Sequence, residues 1–134
     1  MPRQPWEIRP AKTRVAVTAS MKALVETKAR DSIERVLKPK YILPPEKDAR
    51  FNYVSDIGAK WYRNYFYFYS TYTCPSPKAL APSFEAKFAR MEPLRDGTFA
   101  LYFLRHTGEW VGIFDALTLD ESIKTIEDVG WFTP

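Results

Sequence analysis

The spacing of apolar side chains changes twice along this chain, from the period of a helix to that of a strand and back. Between Ser20 and Lys38 apolar residues recur every three or four positions, which predicts an amphipathic helix over about residues 20–38. We expect Ser20 to cap this helix and Pro39 to end it. Its buried stripe is predicted to contain Met21, Leu24, Val25, Ala29, Ile33, Val36 and Leu37.

From residue 51 the apolar period becomes two, as in a strand with one buried side. The first strand includes Phe51–Ile57, and its end can be placed in two ways. Gly58 permits a turn or bulge before the next strand begins. Alternatively, Arg63–Asn64 is the tip of a hairpin, and Trp61–Tyr62 then belongs to the first strand. The sequence leaves both registers open.

Further strands are predicted downstream of residue 82. Residues 83–91 alternate between an apolar face and a mostly polar face. The apolar face is predicted to carry Phe84, Ala86 and Phe88, and the polar face Glu85, Lys87 and Ala89. Asp96–Gly97 is a hairpin signal before a strand at 98–105, and His106–Glu109 predicts a tight turn before a strand at 110–114.

The helical period returns after Leu117. Thr118, with a glutamate three residues later, is a capping box, which predicts a helix over about residues 119–129. We expect Gly130 to end this helix in the left-handed conformation, with Trp131 folding back onto the last turn.

This order of elements predicts the α+β class. We expect an antiparallel meander sheet of four or five strands, with the N-terminal helix on its apolar face. The C-terminal helix is expected beside it or on the open face. Residues 20–134 are predicted to form a single domain, and residues 1–19 a basic, proline-containing arm.

The segment from Trp61 to Tyr72 is the most unusual in the chain, because eight of its twelve residues are aromatic. Aromatic side chains favour the pleated surface of a sheet. If the segment is one strand, Phe66 and Phe68 lie in the core, and the tyrosine hydroxyls prefer the outer face, where they meet water. The predicted ligand- or partner-binding residues are Lys60, Trp61, Arg63, Tyr65, Tyr67 and Tyr69.

Three functions remain open, and the first two use this tyrosine-bearing face. The first is a non-enzymatic binding or interaction module, in which the face supports self-association into a homodimer. The second is binding of single-stranded nucleic acid, with bases stacked on the tyrosine rings. The third is small-molecule binding or catalysis by a cone-shaped α+β fold, which requires a pocket with polar groups facing inward.

Charge is unevenly distributed along the chain, whose net charge is +4. Residues 1–50 hold 12 of the 20 Lys and Arg and 6 of the 16 Asp and Glu, so this part carries +6. Such a basic segment can attract a polyanion such as nucleic acid, and it also fits a helix with a solvated charged face.

Several chemistries are not expected from this composition. One histidine and one cysteine do not supply a zinc site of usual composition, and no glycine-rich phosphate loop is present, so we predict neither metal nor cofactor. Arg105 and His106 are a secondary candidate site at a predicted turn, and no catalytic residue is assigned. The single Cys74, with no secretory or membrane-spanning segment, predicts a cytoplasmic protein without membrane contact.

Four segments together resemble a small bacterial family of α+β proteins of unknown function. They are KWYRNYFYFYSTYTCP, PSFEAKFARME, FLRHTGEW and LTLDESIKTIED, in this order. The resemblance covers roughly residues 51–130. It implies no activity, ligand or catalytic residue.

Overall fold

A computed structural model describes residues 17–44 and 51–134 of the chain. Apart from its last three residues, the predicted arm over residues 1–19 lies outside the described part. The described residues form a five-stranded antiparallel sheet, with one helix before it and another after it in sequence. The expected α+β fold is therefore confirmed.

The N-terminal helix α1 is longer than the sequence predicts. It comprises Ala19–Ser32, a wider π-helical turn at Ile33–Leu37 and a final turn at Lys38–Tyr41. The prediction that Pro39 ends the helix is wrong. The backbone N–H of Lys38 donates to the carbonyl of Ile33, five residues earlier. A wider turn accommodates proline, which lacks an N–H and would crowd the preceding turn of an α-helix.

The start of α1 and part of its buried stripe also differ from the prediction. Thr18 is the N-cap, since its hydroxyl accepts the backbone N–H of Met21 at 3.1 Å, and Ser20 lies inside the first turn. Leu24 is 54% exposed because it lies outside the contact between helix and sheet. The buried residues of this region are Val25, Ala29, Ser32, Ile33 and Leu37.

The sheet has the strand order β1-β2-β3-β4-β5, and every neighbouring pair is antiparallel. The strands are β1 Tyr53–Tyr62, β2 Tyr65–Thr73, β3 Ser83–Pro93, β4 Phe99–Leu104 and β5 Trp110–Leu117. Gly97 and Gly108 have φ of 82° and 89° in the β3–β4 and β4–β5 turns. Both turns lie where the sequence predicts them, because glycine adopts positive φ without steric cost.

The β1–β2 hairpin settles the register that the sequence leaves open. Tyr62 pairs with Tyr65, so Arg63–Asn64 is the hairpin tip. Trp61 pairs with Phe66 and packs against the core on the helix side of the sheet. The expectation that Trp61 shares a face with the tyrosines is wrong, because it treats the aromatic segment as one strand, whereas the chain reverses within it.

A bulge in β3 changes which residues face the core. Phe68 pairs with Ala89 and Tyr69 pairs with Lys87, which leaves Phe88 as the extra residue. Phe88 and Ala89 are both buried. The prediction that Ala89 lies on the polar face is therefore wrong, since the alternation of faces reverses after the bulge.

The C-terminal helix α2 spans Leu119–Asp128. Its predicted capping box is present: the Thr118 hydroxyl accepts the backbone N–H of Glu121, and the Glu121 carboxylate accepts the backbone N–H of Thr118. This reciprocal pair satisfies two donors at the helix start.

The end of α2 differs from the prediction. Val129 ends the helix with extended backbone, at φ −93° and ψ 125°, and Gly130 begins a short 3-10 turn with no positive φ. The extended exit directs Phe132 into the core and leaves Trp131 61% exposed against Phe103. The helix thus ends without the expected glycine cap, and the chain that follows it buries the side chain of Phe132.

Both helices pack on the same face of the sheet. Helix α1 contacts α2 and β1, and α2 contacts β4 and β5. The largest fully buried side chains include Phe66, Phe68, Phe132, Leu37, Met91, Leu101 and Ile126. Within the described part of the chain, the opposite face of the sheet is covered by no helix.

Candidate functional site

The outer face of the sheet, opposite the two helices, carries an aromatic and charged cluster. Strand register brings Tyr67 opposite Arg90, and Arg90 opposite Tyr102. It also brings Tyr62 opposite Tyr65 at the hairpin end. We call this group the outer cluster; it consists of Lys60, Tyr62, Tyr65, Tyr67, Tyr69, Lys87, Arg90, Glu92, Tyr102 and Trp110.

Arg90 lies at the centre of the outer cluster. Its guanidinium carbon is 4.2 Å from the ring centroids of Tyr65 and Tyr102 and 5.0 Å from that of Trp110. These distances lie within the range of cation–π contacts. Among the described residues, no acidic side chain forms an ion pair with Arg90, and its Nε is buried without a hydrogen-bond partner. Arg90 therefore contacts aromatic rings and forms no ion pair with a described carboxylate.

Two lysines lie over the other tyrosine rings of β2. The Nζ of Lys87 is 4.9 Å from the centroid of Tyr67, and the Nζ of Lys60 is 4.7 Å from that of Tyr69. Lys60 also donates a hydrogen bond to Glu85 at 2.8 Å, which raises the pKa of Lys60. Lys87, by contrast, has no acidic partner in the described part of the chain.

The tyrosine rings are less open than the sequence predicts. Tyr67 is only 8% exposed, because Lys87 lies over its ring and Trp110 contacts it with a centroid distance of 5.7 Å. In a flat sheet β2 and β5 would be about 14 Å apart, so both side chains lean over β3 and β4 to meet beside Arg90. Tyr65 is half-buried. The outer cluster is thus a layer in which cations and rings cover one another.

Glu92 is a buried acid within the outer cluster, and it contacts the Tyr102 side chain. Glu92 is 7% exposed and accepts a hydrogen bond from the Tyr102 hydroxyl at 2.6 Å. Burial, together with this hydrogen bond, raises the pKa of Tyr102 above its ordinary range. The ring of Tyr102 lies against Gly112, where an added Cβ would be 3.0 Å from a ring carbon. A neutral hydroxyl, rather than Arg90, therefore satisfies the carboxylate of Glu92.

The structure brings together four of the six binding residues that the sequence predicts. Lys60, Tyr65, Tyr67 and Tyr69 all belong to the outer cluster. Trp61 does not, because its indole N–H donates to the carbonyl of Lys22 in α1 at 3.3 Å.

Arg63 and the secondary candidates lie at the ends of the sheet. The guanidinium of Arg63 is 5.3 Å from the ring of Tyr62, which is 56% exposed, so Arg63 borders the outer cluster. Arg105 and His106 are exposed in the β4–β5 turn, where the backbone of Arg105 accepts the N–H of Gly108. This hydrogen bond closes the turn through the backbone of Arg105, and His106 lies within the turn.

Sequence reasoning missed the part of the cluster that comes from the later strands, namely Lys87, Arg90, Glu92, Tyr102 and Trp110. A signal for Arg90 is present in the sequence. The apolar positions of β3 are Phe84, Ala86 and Phe88, followed by Ala89, Met91 and Pro93. This change of phase between neighbouring residues indicates a bulge, and it places Arg90 and Glu92 on the polar face.

A groove of about 600 Å³ runs between α1 and the open edge of β1. Its polar lining includes Glu26, Arg30, Glu34 and Lys60, and its apolar lining includes Ile33, Ile57 and Trp61. The groove lies between α1 and the edge of the sheet, and Ile33, Ile57 and Phe66 of its lining also belong to the core cluster. Small-molecule binding in an internal pocket stays a prediction.

The described residues contain no group of three or more His, Cys, Asp and Glu side chains placed to hold a metal ion. None of the helices in residues 17–44 and 51–134 has the length and apolar character needed to span a membrane.

Comparison with known proteins identifies the family but brings no activity with it. No curated protein and no solved structure matches the chain. One family model, the domain of unknown function DUF3024, matches residues 10–134. This range includes both helices and every residue of the outer cluster, and it extends beyond the range that the four sequence segments cover. The chain therefore belongs to the family of the domain of unknown function DUF3024.

Proposed function

We propose that this protein is a non-enzymatic binding module that takes an anionic partner on the outer face of its sheet. The observation that carries the proposal is Arg90, whose guanidinium is held within 5.0 Å of three aromatic rings without a carboxylate partner among the described residues. A guanidinium has five N–H donors and no acceptor, so oxygens of carboxylates and phosphates are its natural partners. Cytoplasmic location is part of the same proposal, because one cysteine provides no disulfide within the chain.

The balance of charges on the face supports an anionic partner. The face carries the cations Lys60, Lys87 and Arg90 and the acids Glu85 and Glu92; Glu85 pairs with Lys60, and Glu92 accepts from the neutral Tyr102 hydroxyl, so one positive charge remains in excess. Arg90 and Lys87 lack such partners in the described chain. Cation–π contacts hold these cations in place, at about 0.5–1 kcal/mol each where exposed, without neutralising their charge.

The same charges weigh against a homodimer formed through this face. Two copies packed face to face about an axis near Arg90, the centre of the cluster, would bring the two Arg90 side chains together. Like charges placed opposite one another across an interface cost several kcal/mol. An anionic partner avoids this repulsion, so we favour it over self-association.

A titration with inorganic polyphosphate at low ionic strength tests the proposal. We expect NMR signals of the Trp110 indole and of the β3 backbone around Lys87 and Arg90 to shift, since they line the face. Arg90→Gln should abolish or strongly weaken the shifts, because it removes the central charge and keeps most of the side-chain volume.

Arg95→Gln is the matched control, since Arg95 is exposed in the β3–β4 turn, outside the cluster. It should leave the titration unchanged. If polyphosphate at low salt shifts no outer-face signal, or if the two variants behave alike, the proposed binding face is wrong.

A further inference from the structure

We infer that the anionic partner is a single-stranded nucleic acid, an inference that rests on the binding face proposed above. The observation behind it is a repeat in the β1–β2 hairpin: four of its tyrosines each have a cation over the ring, of which Arg90 also contacts Tyr102 and Trp110. The pairs are Tyr62 with Arg63, Tyr65 with Arg90, Tyr67 with Lys87, and Tyr69 with Lys60.

Three of these tyrosines form a regular row on β2, and Tyr62 lies opposite Tyr65 on β1. Tyr65, Tyr67 and Tyr69 alternate along β2, so successive rings on one face are roughly 7 Å apart along the strand, and the centroids of Tyr65 and Tyr67 are 6.2 Å apart. An extended single strand likewise offers one charged phosphate and one flat base in each repeat. A simple polyanion supplies only the charges, and an apolar ligand supplies only the flat surfaces.

A base can displace an exposed lysine, Lys60 or Lys87, from a ring at small cost. Stacking on an aromatic side chain strengthens binding by about 5- to 100-fold per base, whereas removing an exposed cation–π contact weakens it by about 2- to 5-fold. A displaced Lys87 remains close to the strand and can contact a phosphate. The ring of Tyr62 is 56% exposed and needs little displacement before a base can stack on it.

The arrangement favours single strands over duplexes. In a duplex the base faces are stacked inside the helix, so only phosphates and groove edges reach a sheet surface. Tyrosine rings on an open sheet would then contribute little. We therefore expect duplexes to bind through charge alone.

Fluorescence anisotropy with a labelled oligothymidylate of about ten nucleotides tests the inference. The comparison probes are an abasic oligonucleotide of equal length, the corresponding duplex and inorganic polyphosphate. We expect the oligothymidylate to bind at least about 5-fold more tightly than its abasic counterpart. With roughly three phosphates neutralised, its affinity should fall about 20-fold between about 50 and 200 mM salt.

Two variants with matched controls separate stacking from charge. Tyr62→Leu should weaken binding of the oligothymidylate by at least about 5-fold and leave polyphosphate binding unchanged. Trp131→Leu is its control, since Trp131 is a similarly exposed aromatic residue on the helix side. Lys87→Gln should weaken both ligands and reduce the salt dependence by about one phosphate contact, whereas the loop variant Lys78→Gln should change neither.

The outcomes distinguish failure of this inference from failure of the proposed function. If the abasic and normal oligonucleotides bind equally and Lys87→Gln weakens both, the face binds anions but the nucleic-acid inference is wrong. If none of the probes binds at low salt, both are wrong. If the oligothymidylate binds and the outer-face variants leave its affinity unchanged, its binding site lies elsewhere on the chain and the inference is wrong.

Discussion

Tyr102→Phe removes a single hydroxyl from the outer cluster and tests how its buried acid is held. The hydroxyl donates to Glu92 at 2.6 Å, and Glu92 is only 7% exposed. A hydrogen bond to a charged group contributes about 1.5–3 kcal/mol, so we expect the free energy of unfolding to fall by about that amount near neutral pH. The phenyl ring keeps the contact with Arg90, which separates loss of the hydroxyl from loss of packing.

The effect of this substitution should depend on pH. The pKa of Tyr102 is raised in the folded protein, because of burial and the hydrogen bond to Glu92. Above about pH 10 the unfolded chain releases the tyrosine proton while the folded chain retains it, so the wild type loses up to about 1.4 kcal/mol per pH unit from this group. The Phe variant has no such proton. Its deficit should therefore be about 1 kcal/mol smaller at about pH 11 than at about pH 7.

Urea denaturation followed by circular dichroism at both pH values measures the two deficits. Tyr62→Phe is the control, since Tyr62 is 56% exposed, and it should change the free energy of unfolding by less than about 0.5 kcal/mol. A deficit for Tyr102→Phe that is equal at both pH values would refute the raised pKa. A deficit near zero at neutral pH would refute the role of the hydrogen bond.

Three further substitutions test local features, each by urea denaturation. Gly58→Ala places a Cβ 2.5 Å from the Tyr69 hydroxyl oxygen, at the far end of a partly exposed side chain, so we expect the ring to move and the free energy of unfolding to change by less than about 1 kcal/mol; an unmoved Tyr69 ring signal in NMR would contradict this. Arg63→Gly relieves a left-handed φ of 57° and should raise the free energy of unfolding by about 1 kcal/mol; an unchanged or lower value would contradict the strain. Thr118→Ala should cost about 1–2 kcal/mol through the lost cap, with Thr118→Ser close to wild type.

Features governed by neighbouring residues could be predicted from the sequence. The capping box at Thr118 and the turns at Gly97 and Gly108 depend on contacts within a few residues, so their residue types suffice to place them. The same holds for the alternation that directs Phe66 and Phe68 inward. These features define the α+β class and the tyrosine face of β2.

Features governed by distant contacts could not be placed in this way. The periodicity of α1 includes Leu24, but its exposure depends on where the sheet lies against the helix. Trp61 belongs to the same aromatic segment as the tyrosines. The hairpin at Arg63–Asn64 places it on the other face of the sheet, where it contacts α1. In both cases the pattern shows that a side chain can be buried or exposed, and the packing partner decides which occurs.

The sequence by itself determined that an aromatic strand has an apolar side and a hydroxyl-bearing side, because side chains of a strand alternate whatever surrounds them. Only the tertiary structure decided that Arg90 is the centre of the outer cluster. A bulge at Phe88 turns Arg90 outward, and its three rings come from β2, β4 and β5. Such an assembly depends on the register between strands. Residues up to 45 positions apart in sequence, from Tyr65 to Trp110, determine this register together.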